Sequence, residues 1–91
     1  MTVPKWDPVP DRLLYEQVAE HLAARIRAGE LEPGRRLPPE PEVGTEYGVA
    51  FHTVRSAMRL LREQGLIVTI QGKGTFVATR GEPPARAGEE E

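Results

Sequence analysis

Ninety-one residues without a cysteine make one small domain with a modest core, too short for a catalytic domain plus a separate ligand domain. There is no disulfide framework and no thiolate metal site, two distant histidines are a thin basis for zinc, and no cofactor is expected. No apolar run approaches the roughly 18 residues of a membrane span, and the start, MTVPKWDPVPDR, lacks a signal peptide's apolar stretch, so a soluble cytoplasmic protein is expected.

The net charge of −2 hides a division along the chain. Residues 1–49 carry 6 basic and 9 acidic side chains, residues 50–80 carry 5 and 1, and residues 81–91 carry 1 and 4. A polyanion would meet a local basic face despite the acidic whole.

Residues 1–10, with Pro4, Pro8 and Pro10, predict an extended arm, and its single Trp6 is expected to pack back on the domain. Asp11 is placed to cap the next element. Leu14, Val18, Leu22 and Ile26 then repeat every four residues, which predicts a helix of about four turns ended by Gly29. His21 falls on this helix and is expected at its surface. Pro33-Gly34 centres a turn, and residues 35–37 suit a very short strand.

A short second helix is predicted over residues 40–47, with Pro39 and Pro41 tolerable only in its first turn. Gly44 costs it about 1 kcal/mol relative to alanine, so tertiary contacts must hold it. Tyr47-Gly48-Val49 supplies a tight turn, and a third, basic helix runs to Gly65. On a wheel of about 100° per residue, Ala57, Met58 and Leu61 fall within about 60° of Val54, while His52, Arg55, Arg59 and Arg62 gather on another side. One face packs and the other offers positive charge. Phe51 lies at about 60° on this wheel, at the border of the packed face, where both a core place and a contact are open to it. Residues 66–70 and 75–79 are β-branched or apolar runs joined by Gln71-Gly72-Lys73-Gly74, which predicts a hairpin whose tip carries one cation between two glycines. Residues 81–91, GEPPARAGEEE, are expected to be a disordered acidic tail, able to compete for the basic face.

This order of parts resembles the GntR family of bacterial transcription regulators. Leu14-Tyr15-Glu16-Gln17-Val18, the turn from Gly29 to Gly34, Leu37-Pro38-Pro39-Glu40, Gly48-Val49, Thr53-Val54-Arg55, Gly65-Leu66-Ile67 and Gln71-Gly72-Lys73-Gly74-Thr75-Phe76-Val77 carry the resemblance. It implies a winged helix-turn-helix that binds inverted-repeat operators as a dimer, with the third helix in the major groove and the wing tip at the minor groove. Ala50 and Phe51 stand where the family usually has serine and arginine, Pro39 replaces a serine cap, Pro41 stands where some members have arginine, and Thr69 where arginine is common.

The expected fold is mainly α with a small β-hairpin (α+β), a winged helix-turn-helix of three helices plus a two-stranded wing. The division is an extended arm over 1–10, the DNA-binding domain over 11–80 and the tail over 81–91. Its core should hold Leu14, Val18, Leu22, Ile26, Leu37, Val43, Tyr47, Val54, Met58, Leu61, Leu66, Ile67, Phe76 and Val77. The expected function is a sequence-specific DNA-binding transcription regulator, a repressor in the first instance. Its candidate contacts are His52, Thr53, Arg55, Ser56 and Arg59 on the helix and Gly72, Lys73 and Gly74 on the wing; Arg62 is expected to offset the macrodipole and stay solvated. Double-stranded DNA is the expected partner, together with a homodimer mate or a partner protein. No small-molecule effector site can be assigned, and control is expected through expression level, self-association or a partner. A winged-helix protein-interaction module with weak or no DNA binding is the alternative. An enzyme is not expected: there is no phosphate loop, nucleophile elbow or metal-ligand spacing.

Overall fold

A computed structural model describes residues 3–79, so the expected acidic tail lies outside the described residues. Helix α1 spans Leu14–Arg27, α2 Glu40–Tyr47 and α3 Phe51–Glu63; strands β1, Ile67–Ile70, and β2, Gly74–Val77, form an antiparallel hairpin. The register pairs Ile67 with Val77 and Ile70 with Gly74. Residues 34–37 run along the other side of β2, where Val77 N–H donates to Arg35 O at 2.9 Å and Leu37 N–H to Thr75 O at 2.8 Å. The short strand expected at 35–37 is thus a single bridge, Arg36 to Phe76, that ties the α1–α2 connection to the wing.

The core forms where the periodic faces meet. Val18, Ala19, Leu22 and Ala23 of α1, Val43 and Tyr47 of α2, and Val54, Ala57, Met58 and Leu61 of α3 are buried together with Leu37, Ile67 and Val77. Helix α3 lies at the centre, packed on α1, α2 and β1. Ile26 and Leu66 are half-buried against this cluster, and Phe76 is half-buried as well. Leu14 is not core: at the first position of α1 it keeps 39% of its surface exposed. Asp11 does not cap α1 either. Leu13 occupies the N-cap position with no side-chain hydrogen bond.

Two glycines explain why the second and third helices come so close. A Cβ on Gly44 would meet Val49 O at 3.2 Å and Val54 Cγ2 at 3.5 Å, so the residue that weakens α2 lets α3 approach its backbone. Gly48 has φ 70°, a left-handed conformation that side chains resist, and the turn closes with Val49 N–H donating to Gly44 O at 3.0 Å.

The arm is tied down by polar contacts as well as by packing. Gln17 is buried and bonds Val9 N–H, Val9 O and Arg12 O at 2.8, 2.9 and 3.0 Å. Trp6 packs back as expected, donating Nε1–H to Tyr47 O at 2.9 Å. Its ring meets those of Tyr47 and His21 edge-to-face, with centroids at 4.9 and 5.6 Å. His21 is therefore not a free surface residue. A carbonyl only accepts, so its Nε2 donates to Pro4 O at 2.7 Å, while Nδ1 shares a hydrogen bond with the Tyr47 hydroxyl, also at 2.7 Å. Burial pushes the Tyr47 phenol above its ordinary pKa, against the pull of the Arg25 guanidinium, whose Nη1 donates to it at 3.2 Å.

Candidate nucleic-acid interface

Helix α3 turns its apolar stripe into the core, which sends the opposite residues outward. His52, Arg55 and Arg59 are exposed and Ser56 is half-buried. Thr53 differs from the expectation: it keeps only 8% of its surface and presents the least of the five helix candidates. Among the described residues neither Arg55 nor Arg59 has an ion pair, and the only acidic residue of α3, Glu63, closes the helix.

Phe51, at the border of the packed face, is 54% exposed. It is the first residue of α3, just past the turn, and lines a shallow groove with Glu40, Pro41 and Thr45 of α2. The Arg55 guanidinium carbon lies 5.7 Å from the Phe51 ring centroid, one helical turn on, so the exposed apolar ring shares the face of the exposed cations. Ala50 caps α3 without a side-chain hydrogen bond, which leaves the first amide hydrogens of the helix open.

The wing stands beside this helix. Lys73 N–H donates to Ile70 O at 2.9 Å, closing a turn with Gly72 at φ 80° in its third position, where a type II turn requires positive φ. Gly72 and Lys73 are exposed at the tip, while Gly74 belongs to β2 and is half-buried. A Cβ on Gly74 would lie 2.8 Å from Arg36 Nε, so the Arg36 guanidinium crosses the wing at this glycine. Arg36 is exposed and adds a cation beside Lys73 that the sequence reading missed. Its only signal was its place in the short strand; the contact with Gly74 follows from the tertiary bridge to Phe76.

Arg62 does not simply stay solvated. Its Nη1 donates to Thr69 Oγ1 at 3.0 Å, and Thr69 Oγ1 exchanges a hydrogen bond with Thr75 Oγ1 at 3.1 Å. The end of α3 is thereby linked to both strands of the wing. Neither threonine carries a periodic signal that would announce this, since the link crosses the turn after Gly65.

Three helices whose third shows unpaired cations, followed by a hairpin with a cationic tip, define a winged helix-turn-helix domain. The family model of bacterial regulatory proteins, gntR family, matches residues 14–77. The chain belongs to the GntR family. It is 48% identical over 64 residues to the mannosyl-D-glycerate transport/metabolism system repressor MngR of Escherichia coli (strain K12), covering 70% of this chain and 27% of that protein. It is 38% identical over 78 residues to the HTH-type transcriptional repressor NagR of Bacillus subtilis (strain 168), covering 86% and 31%. The chain thus spans less than a third of the length of these relatives. Among solved structures, AraR(DBD) in complex with operator ORR3 is 37% identical with a TM-score of 0.67, over 79% of this chain and 90% of that one. YtrA from Sulfolobus acidocaldarius, a GntR-family transcription factor, is 30% identical with a TM-score of 0.74, over 87% and 83%.

Proposed function

We propose that this domain is the DNA-reading part of a transcription regulator, of the repressor kind, acting in the cytoplasm on an inverted-repeat operator as a homodimer or with a partner protein. The observation that carries the reading is the pair of exposed arginines on α3, Arg55 and Arg59, which have no ion pair among the described residues, in a fold similar to AraR(DBD), which was solved with its operator. Helix α3 enters the major groove, where the planar fork of Arg55 suits the two acceptors of guanine or a phosphate. Arg59, His52 and Ser56 flank it, with Thr53 at the edge. Lys73 meets phosphate or the minor groove, and Gly72 and Gly74 leave room for its backbone to come close. A single module with few base contacts needs a second copy or a partner for useful specificity. The relatives' names and their repressor roles support the direction of regulation.

The test is selection of duplexes from a random pool by the full chain, with affinity measured at two salt concentrations and the oligomeric state measured alongside. Salt-dependent, sequence-selective retention is the expected result. Absence of retention at low salt overturns the reading. It favours instead a protein-interaction module, for which the exposed Phe51 ring is the one specific sign.

A further inference from the structure

Phe51 is out of place by the ordinary logic of a soluble surface. It is 54% exposed at the start of α3, between a groove it shares with Glu40, Pro41 and Thr45 of α2 and the exposed basic side chains His52, Arg55 and Arg59 of its own helix. An apolar protein partner would find itself among unpaired cations there, and burying those charges without counter-charges is costly. The surface asks for a partner that is a polyanion yet carries a small apolar spot at this point. Double-stranded DNA has one such feature: the C5-methyl group of thymine, which lines the major groove between acceptors that suit arginine. From this we propose that Phe51 is a specificity-determining residue that packs on a thymine methyl in each operator half-site, next to a guanine bonded by Arg55. The inference rests on the DNA-reading function proposed above and adds to it what the apolar residue reads.

The geometry supports pairing of the two contacts. Phe51 and Arg55 are four residues apart, so they sit one turn apart on the same face, and the ring lies under the guanidinium at 5.7 Å. The ring steadies the orientation of the fork while its exposed part remains free for a methyl group. Ala50, also exposed and apolar, extends the same spot at the preceding position. The two readers therefore address neighbouring bases rather than distant ones.

The test uses the full chain and the duplexes it selects from a random pool. Each thymine of the half-site is replaced in turn by deoxyuridine, which removes one methyl group and leaves every hydrogen-bonding group in place. At one thymine adjacent to a guanine, the replacement should weaken binding about fourfold per half-site, the effect of one buried methyl-sized group. Phe51→Ala should bind the thymine and deoxyuridine duplexes equally, with its melting temperature close to that of the parent because the ring is exposed. If every thymine-to-deoxyuridine change leaves affinity unaltered while selective binding persists, the methyl contact is overturned and the DNA-reading function stands. If Phe51→Ala keeps the full methyl dependence, another residue reads the methyl and the assignment to Phe51 fails. If no duplex is selected at all, the inference falls together with the function on which it rests.

Discussion

Arginine does opposite work at the two ends of this molecule. On the α1 side, Arg25 is held by Tyr47 Oη at 3.2 Å, Glu30 Oε1 at 3.1 Å and Glu46 Oε2 at 3.3 Å, and Arg12 is paired with Glu20. On the α3 side, Arg55 and Arg59 have no such partners among the described residues, and neither does Lys73 on the wing. All the ion pairs among the described residues fall between residues 12 and 46. The difference teaches that basic residues alone do not mark a site, nor does a lone unpaired one, since Arg27 of α1 is also exposed without an ion pair among the described residues; Arg55 and Arg59 differ in sharing one exposed helix face. The first region uses its charges to hold the arm and helices together, and the second leaves them exposed, as the proposed DNA contact requires.

The largest expected effect breaks both regions at once. Leu61 is fully buried at the centre of the core, on the helix whose other face is the proposed DNA contact. Leu61→Ala should lose about 2–5 kcal/mol of stability, a large part of what so small a domain has. Urea unfolding followed by circular dichroism measures it; a loss under about 1 kcal/mol would show that the packing around this position is looser than described.

A matched pair of arginine variants sharpens the contrast. Arg55→Ala should weaken operator binding by about 1–3 kcal/mol if it reads a base, yet leave stability within about 0.5 kcal/mol because its side chain is exposed. Arg25→Ala should do the reverse, losing about 1–2 kcal/mol of stability with the hydrogen bond to Tyr47 and its half-buried ion pairs, and leaving affinity unchanged at temperatures where the domain remains folded. Parallel melts and titrations decide it. Equal effects of the two variants on both readouts would erase the distinction.

Much of this arrangement was legible in the chain, and the exceptions have physical reasons. The apolar repeat of Val18, Leu22, Val54, Met58 and Leu61 marked the packed faces because burial acts on every turn of a helix. Periodicity misled at element ends. Leu14, expected in the core, and Phe51, at the border of the packed face, both open their helices and stay 39% and 54% exposed. It also said nothing of partners from distant segments: His21 is bridged to Pro4 and Tyr47, and Arg36 reaches Gly74, through contacts set by tertiary structure. The exposed side of α3 was visible in the sequence; that its cations lack ion pairs became visible only with the acidic residues of α1 and α2 in place.

A smaller effect is expected at the wing tip. Lys73 is exposed with no ion pair, so Lys73→Ala should leave folding untouched, weaken binding similarly across DNA sequences and lower the salt slope by about one unit. Unchanged affinity at low salt would turn the wing away from DNA and confine the interface to α3.

The smallest effect probes how the two parts of the interface are joined. Thr69 accepts from Arg62 at the end of α3 and exchanges a hydrogen bond with Thr75 on β2. Thr69→Val keeps the shape and the β-branched character suited to a strand, and removes only the hydroxyl. Since the group is exposed, water replaces the lost partners and stability should fall by no more than about 1 kcal/mol. The informative readout is coupling. If the hydroxyl acts by holding the wing tip in line with α3, the loss of affinity in Thr69→Val should vanish once Lys73 is also alanine, because the tip then has no charge left to aim. Additive losses in the double variant would mean that Thr69 and Lys73 act independently, and that the link from Arg62 to the wing stabilises the fold without positioning the site.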